Sequence, residues 1–379
     1  MAGIYIHVPF CKRRCSYCDF YSVVSTADAD RYVAALLAEL RMRRDEIMLD
    51  EVHTIYIGGG TPSMLSAEQL RRLMMGIAEM VDIDKVEEVT IEVNPDDVDF
   101  EYMSNVARCG VNRVSMGVQS FVDEELKAVN RRHDSRQALD ALKIIADCGI
   151  DNVSIDLIYG LPKQTLATWK QSVCQAARLH VNHISAYCLS YEEGTALTRL
   201  RDRGVIEETD EDTCVEMYNC LCSILKAAGY EHYEISNFAL PGKYSRHNSA
   251  YWDGTPYLGL GAAAHSFDGE CRRYNPANLK AYLEKIENGE VAYQTETEEW
   301  WQQYNEMVMV KLRTKWGIDL RDVERRFGKQ VSDDFERKIK VYVASGAVLN
   351  TGTRYALSEQ GVMISDSIIR ELMIVDDYS

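Results

Sequence analysis

No run of about 18 apolar residues occurs in the 379-residue chain, so no transmembrane helix is expected. The basic, apolar and small-residue succession of a signal peptide is missing too; the chain goes straight into the apolar stretch Ile4-Tyr-Ile-His-Val8. Internal repeats, low-complexity tracts and linkers rich in Pro, Gly or Ser are absent. Positive charge is scarce. Against 59 Asp and Glu stand 42 Lys and Arg, and the net charge of −17 argues against a nucleic-acid partner held through its phosphates. Cysteine is present but odd in number. Eleven thiols without a secretory signal predict a reduced, cytoplasmic protein and not a disulfide scaffold. A peripheral contact with a membrane stays compatible with this composition, and the oligomeric state is not encoded in it.

Apolar residues make up 46% of the chain, enough for one large domain and a smaller one. Soon after the first apolar stretch come Cys11, Cys15 and Cys18, spaced C-x3-C-x2-C. Thiolates select zinc or iron–sulfur clusters. A closed zinc site needs four ligands, and no fourth Cys follows at a matching short spacing. A cubane cluster normally takes four thiolates; three would leave its fourth iron open to a small molecule. A zinc site and a disulfide with a spare thiol are the weaker readings.

Short apolar strands then alternate with amphipathic helices. Strands are expected at 52–57, 88–93, 112–117, 152–157 and 183–187, with helices at 28–48, 66–80, 99–108, 123–129, 135–147 and 165–179. On the first helix, Val33, Leu36, Leu37 and Leu40 form the apolar face, with Glu39, Arg41, Arg43 and Arg44 expected on the wet side. Six strand–helix units up to about residue 228 predict an α/β fold, a partial (β/α)6 barrel with ligands at the carboxyl ends of its strands. Those ends are polar: the cysteines, then Gly58-Gly59-Gly60-Thr61-Pro62, Glu92, Gln119 and Asp156. Singly, a glycine run is a turn and a strand acid is a satisfied core group. Gathered at one barrel end, they read as a site. Arg131 follows the fourth strand, and its fork suits a ligand carboxylate.

The cysteine spacing resembles the radical S-adenosylmethionine (radical SAM) superfamily. Tyr-x-His-x-Pro-Phe-Cys, Gly-Gly-Gly-Thr-Pro-Ser, Ser-Met-Gly-Val-Gln-Ser-Phe and Asp-Leu-Ile-Tyr-Gly-Leu-Pro resemble the oxygen-independent coproporphyrinogen III oxidases and their relatives, over roughly residues 4–270. The resemblance implies a radical SAM barrel with a [4Fe–4S] cluster on Cys11, Cys15 and Cys18. SAM would chelate the open iron and be cleaved to a 5′-deoxyadenosyl radical. Tyr5, Tyr17, Gly59, Gly60, Thr61, Glu92, Gln119, Arg131 and Asp156 would line the SAM site, with Arg131 on the SAM carboxylate. Two departures from the oxidases point to the heme-chaperone branch of the family. Phe20 stands where the oxidases have a fourth cysteine, and the long segment before their first strand is not present here.

Beyond the barrel, His247-Asn-Ser-Ala-Tyr-Trp252 resembles the heme-associated signature of that branch, which implies a heme site at His247, Asn248, Tyr251 and Trp252, with His232 and His265 as further candidate ligands. The expected division is a radical SAM core over 1–228, a heme-associated extension over 229–275, and a smaller, mostly helical, winged-helix-like domain over 276–379. In the last, helices are expected at 276–287, 297–314, 319–327, 333–345 and 358–373, with a strand pair near 347–357. Two functions compete. One is a chaperone that binds heme or another porphyrin and delivers it to an apoprotein. The other is an oxidase that decarboxylates coproporphyrinogen III to protoporphyrinogen IX.

Overall fold

The computed structural model describes residues 2–375. Six parallel strands lie side by side in sequence order: β1 (Ala2–Val8), β2 (Val52–Gly59), β3 (Glu88–Val93), β4 (Arg113–Gln119), β5 (Asn152–Tyr159) and β6 (His183–Cys188). Branched side chains sit level across them: Ile4 faces Ile55, Ile55 faces Val89, Val114 faces Val153 and Ile155 faces Ile184. Such rows belong to a sheet covered on both faces. The covering helices are α1 (Ala29–Met42), α2 (Ala67–Ala78), α3 (Phe100–Arg108), α4 (Asp123–Ala128), α5 (Ser135–Asp147), α6 (Leu166–Leu179), α7 (Ala196–Asp202) and α8 (Glu211–Ala227). Several start where the sequence supplies a cap. Ser66 and Gln69 close a capping box on α2, and Asp134 and Gln137 close one on α5. The result is the expected α/β fold, six parallel strands with helices over them and their carboxyl ends on one side.

Neither edge of this sheet is left bare. β7 (Glu231–Glu234) and β8 (Asn237–Ala239) extend it antiparallel beyond β6. Between them and the opposite edge runs α9 (Arg246–Asp253). On that edge β9 (Tyr257–Leu260) pairs parallel with β1, followed by β10 (His265–Phe267), β11 (Arg272–Tyr274) and, after α10 (Leu279–Glu287), β12 (Gln294–Glu296). The added strands move the edges of the sheet outward to the short strands β7 and β12, and short edge strands offer little backbone for another chain to pair with.

This covering overturns the expectation for α1. The helix stops at Met42, and Glu39 and Arg43 are buried, not wet. β9, β10 and α10 lie over the face they occupy. The Arg43 guanidinium donates to Glu39 (2.9 Å), the Gly259 carbonyl (2.9 Å) and Ser266 Oγ (2.9 Å). Glu39 in turn accepts from Gly261 N, Asn275 Nδ2 and Tyr282 OH. A buried ion pair persists only when its remaining donors and acceptors are paired in this way.

The C-terminal part comprises α11 (Trp300–Leu312), β13 (Ile318–Asp319), α12 (Leu320–Phe327), α13 (Lys329–Ala344), β14 (Val348–Asn350), β15 (Arg354–Leu357), α14 (Glu359–Val362) and α15 (Ser365–Leu372). It has a core of its own around Val308, Phe335, Ile339 and Ile368. The expected strand pair gains a third member, β13, in the order β13-β15-β14. The single helix expected over 358–373 is divided. The break at Ile364, which is exposed, turns Ile368, Ile369 and Leu372 into the second core.

Candidate functional site

The segment after β1 is tied down from several sides. Cys11 N donates to Val23 O (2.9 Å), Ser16 N to Val129 O (3.2 Å), and Leu197 N to Ser16 O (2.8 Å). These bonds hold the three thiols at the carboxyl ends of the strands. There a cavity of about 450 Å³ opens, lined by Cys11, Cys15 and Cys18 together with Tyr17, Gly59, Gly60, Thr61, Glu92, Gln119, Arg131 and Asp156. Of the residues expected around SAM, Tyr5 does not line it. Its hydroxyl lies inside the barrel, 3.0 Å from His7 Nδ1.

All eleven cysteines are free. Among the described residues no three His, Cys, Asp or Glu side chains converge on a point that would suit one metal ion. A cluster distributes its thiolates over separate irons, so the three cysteines fit that group better than a single zinc. Unpaired groups surround them. Arg131 Nε and Ser16 Oγ are buried without a partner. Arg131 Nη1 lies 3.3 Å from Cys15 Sγ and Cys11 Sγ 3.4 Å from Thr61 Oγ1.

The backbone is shaped for close approach. Gly59 has φ +113, and a Cβ there would sit 2.7 Å from the His7 ring. At Gly117 a Cβ would press on Gln119 Nε2 at 2.8 Å and Arg131 Nη2 at 3.0 Å. Gln119 itself adopts φ 65 beside a register shift in β4, a conformation costly for a non-glycine residue and concentrated at functional positions.

Glu92 and Asp156 keep a face toward the cavity but are otherwise enclosed by protein. Burial pushes the Glu92 carboxyl up to about 7, opposed by the Tyr56 hydroxyl that donates to it (2.7 Å). Burial likewise raises Asp156 to about 6, opposed by Ser185. Arg131 has burial against it, yet Tyr17 and Cys15 beside it hold the guanidinium above its ordinary value. It also donates to Asn94 Oδ1 (2.8 Å) and Gly117 O.

Asn94, Ser115, Tyr187 and the pair Arg132–Asp96 (2.7 Å) also line the cavity and were passed over in the sequence. The period-two alternation of a strand could have found Asn94, two residues after Glu92.

The residues expected around heme fall elsewhere. α9 caps the amino-terminal ends of β1–β3. Its His247 is 1% exposed, with Nδ1 2.8 Å from Thr54 Oγ1, Nε2 2.9 Å from Tyr251 OH, and backbone N on Glu88. The ring stacks on Tyr56 (5.2 Å, 26°), and burial pushes it down to about 3. Both ring nitrogens are engaged, so an axial-ligand role would require the first turn of α9 to move. His232 Nε2 is bonded to Ile235 O (3.0 Å). His265 is exposed and stacks on Tyr274. Asn248 is half-buried. Trp252 faces a second cavity, of about 540 Å³, between α9 and the C-terminal part.

Comparison with known proteins agrees with this geometry. The radical SAM superfamily model matches residues 5–173 and the HemN C-terminal domain model residues 300–364. A protein of Lactococcus lactis named heme chaperone HemW is 35% identical, over 98% of this chain and 97% of its own. One of the same name from Bacillus subtilis is 33% identical, over 97% and 98%. The chain belongs to the HemW family of radical SAM proteins. Among solved structures, the Escherichia coli coproporphyrinogen III oxidase HemN superposes with a TM-score of 0.83 over 100% of this chain and 90% of its own. At 24% identity that likeness shows the fold alone. No helix among the described residues is long and apolar enough to cross a membrane.

Proposed function

We propose that this chain is a cytoplasmic radical SAM heme chaperone, binding heme and delivering it to an apoprotein. The observation that carries the reading is the similarity, along essentially the whole chain, to proteins named heme chaperone HemW. The cavity gives it chemical support. A [4Fe–4S] cluster would be held by Cys11, Cys15 and Cys18, and SAM by the residues beside them. Together the two groups supply one-electron chemistry when bound. Arg131 offers a fork to a carboxylate. Glu92 and Asp156 accept hydrogen bonds from amino or hydroxyl groups, and Gly59, Gly60 and Thr61 let the ligand approach the backbone. Heme is taken near Asn248 and Trp252 on α9, with His247 and Tyr251 fixing that helix to the barrel. The division into a core over 1–228, an extension over 229–275 and a C-terminal domain over 276–379 belongs to the same reading.

Hand-over is the test. Heme-loaded protein is incubated with a heme-free b-type cytochrome, either mixed or across a membrane that passes heme but not protein. Delivery predicts transfer that depends on contact. Equal transfer in both arrangements would mean release into solution and would overturn the chaperone reading.

A further inference from the structure

The second cavity lies at the joint between α9 and the C-terminal domain; close by, backbone bonds from Ile235 N to Arg313 O (3.1 Å) and from Lys315 N to Tyr233 O (3.0 Å) tie that domain to β7 and the turn after it. We infer that this cavity receives the porphyrin, with Lys311 and Arg354 of the C-terminal domain holding its propionates and Tyr244, Trp252 and Trp316 forming apolar walls. The inference rests on the heme-binding reading above and gives it a place.

Size and walls come first. A volume of about 540 Å³ falls within the range of roughly 300–1,000 Å³ usual for small-molecule sites. Aromatic side chains from separate stretches of chain meet there, with Tyr244 and Trp316 edge to face at 5.8 Å. Aromatic walls suit a flat apolar macrocycle.

Unpartnered polar groups come next. Trp252 Nε1 and Ser249 Oγ, both on α9 and both lining the cavity, are buried without a hydrogen-bond partner. Buried polar atoms are paired in the great majority of cases, so two orphans at one cavity point to a missing occupant.

Charge then selects its kind. The chain carries −17 overall, yet this cavity sets Arg246, Lys311 and Arg354 against one acid, Asp253. Arg246 is spent on Glu87, and Asp253 already accepts from Thr255. Arg354 donates to Trp316 O at 3.1 Å and reaches Asp319 at 3.5 Å. The Lys311 ammonium has neither an ion-pair nor a hydrogen-bond partner among the described residues. Cations inverted against the sign of the whole protein select an anion. Lys311 stands in the last turn of α11, the negative end of a helix. That end favours the ammonium itself, and the long Lys311 side chain can carry its charge away from the helix to a carboxylate in the cavity.

The test is heme titration of the full chain, followed by quenching of tryptophan fluorescence and by the heme absorption band. It is repeated with heme dimethyl ester, whose carboxylates are blocked. Lys311→Glu should weaken heme by about tenfold or more and leave the ester unaffected. Trp316→Ala should weaken both. Unchanged melting temperatures would show that the variants fold. Wild-type affinity for heme in both variants would overturn the placement, as would equal weakening of heme and ester by Lys311→Glu. A wild-type chain that binds no heme at all would remove the heme reading itself, and the placement with it.

Discussion

Two carboxyls at the cavity, Glu92 and Asp156, are held where ionising is costly. Glu92 titrates near 7 in the folded chain and near its ordinary value of 4.5 once unfolded. Between those values the native chain keeps a proton that the unfolded chain has released. Stability therefore falls as pH rises through that window and levels off above it. Glu92→Gln has no such slope. It should stabilise the cofactor-free protein at pH 8 by about 3 kcal/mol, give no advantage near pH 4.5, and weaken SAM binding. Urea melts at the two pH values check this; the same difference at both would contradict it. Two further substitutions separate cluster from SAM. Cys15→Ala should lose the iron after anaerobic reconstitution, whereas Asp156→Ala should keep it and bind SAM roughly ten- to a hundredfold less tightly, as loss of a charge-assisted contact implies. Iron analysis and calorimetry read the two effects. A full cluster in Cys15→Ala, or unchanged SAM affinity in Asp156→Ala, would put the site elsewhere. These residues were legible because each stands at a strand end with a polar side chain where the pattern is apolar. Tyr5 was not, because its place on β1 gives no sign that its hydroxyl would be taken by His7.

At the scale of elements, α9 works as a plug. His247 reaches from its first turn to Tyr56, whose hydroxyl holds Glu92 at the cavity. The helix with the residues expected around heme thus packs against the wall of the cavity that gathers the residues proposed for SAM. His247→Ala removes a stacked ring and two hydrogen bonds from a closed space, and should cost about 2–4 kcal/mol of stability. Any loss of heme in that variant should follow the melting curve, and His247→Gln should recover part of both. If His247→Ala melts like the wild type while the heme spectrum changes, the residue is a ligand and not a plug. The six parallel strands were readable from apolar runs bounded by turns. α9 and its neighbours were not, because the sequence around His247 has no clear period and its burial depends on Thr54, Glu88 and Tyr251 meeting in space. Glu39 and Arg43 were misplaced for the same reason. Three-residue and four-residue spacing marks one face of α1, whereas β9, β10 and α10 cover a second.

For the molecule as a whole, one sheet links the two ends of the account. Its strands' carboxyl ends gather the thiols and the residues proposed for SAM, and the segment that carries α9 adds strands beyond β1 and β6. The C-terminal domain, read from the sequence as mostly helical and winged-helix-like, joins α9 and builds a second cavity with it. That cavity was illegible in the chain because Tyr244, Trp252 and Trp316 lie in stretches brought together only by docking of the domain. The fold is shared with an enzyme that works on coproporphyrinogen III, so what separates the functions is what the protein binds and whether it turns it over. The most direct measurement is a heme titration of the anaerobically reconstituted chain, run beside an assay with coproporphyrinogen III, SAM and a strong reductant. The account predicts saturable binding of heme, stoichiometric with the chain, and no protoporphyrin fluorescence after oxidation. Absence of saturable heme binding together with many turnovers of coproporphyrinogen III per chain would contradict it.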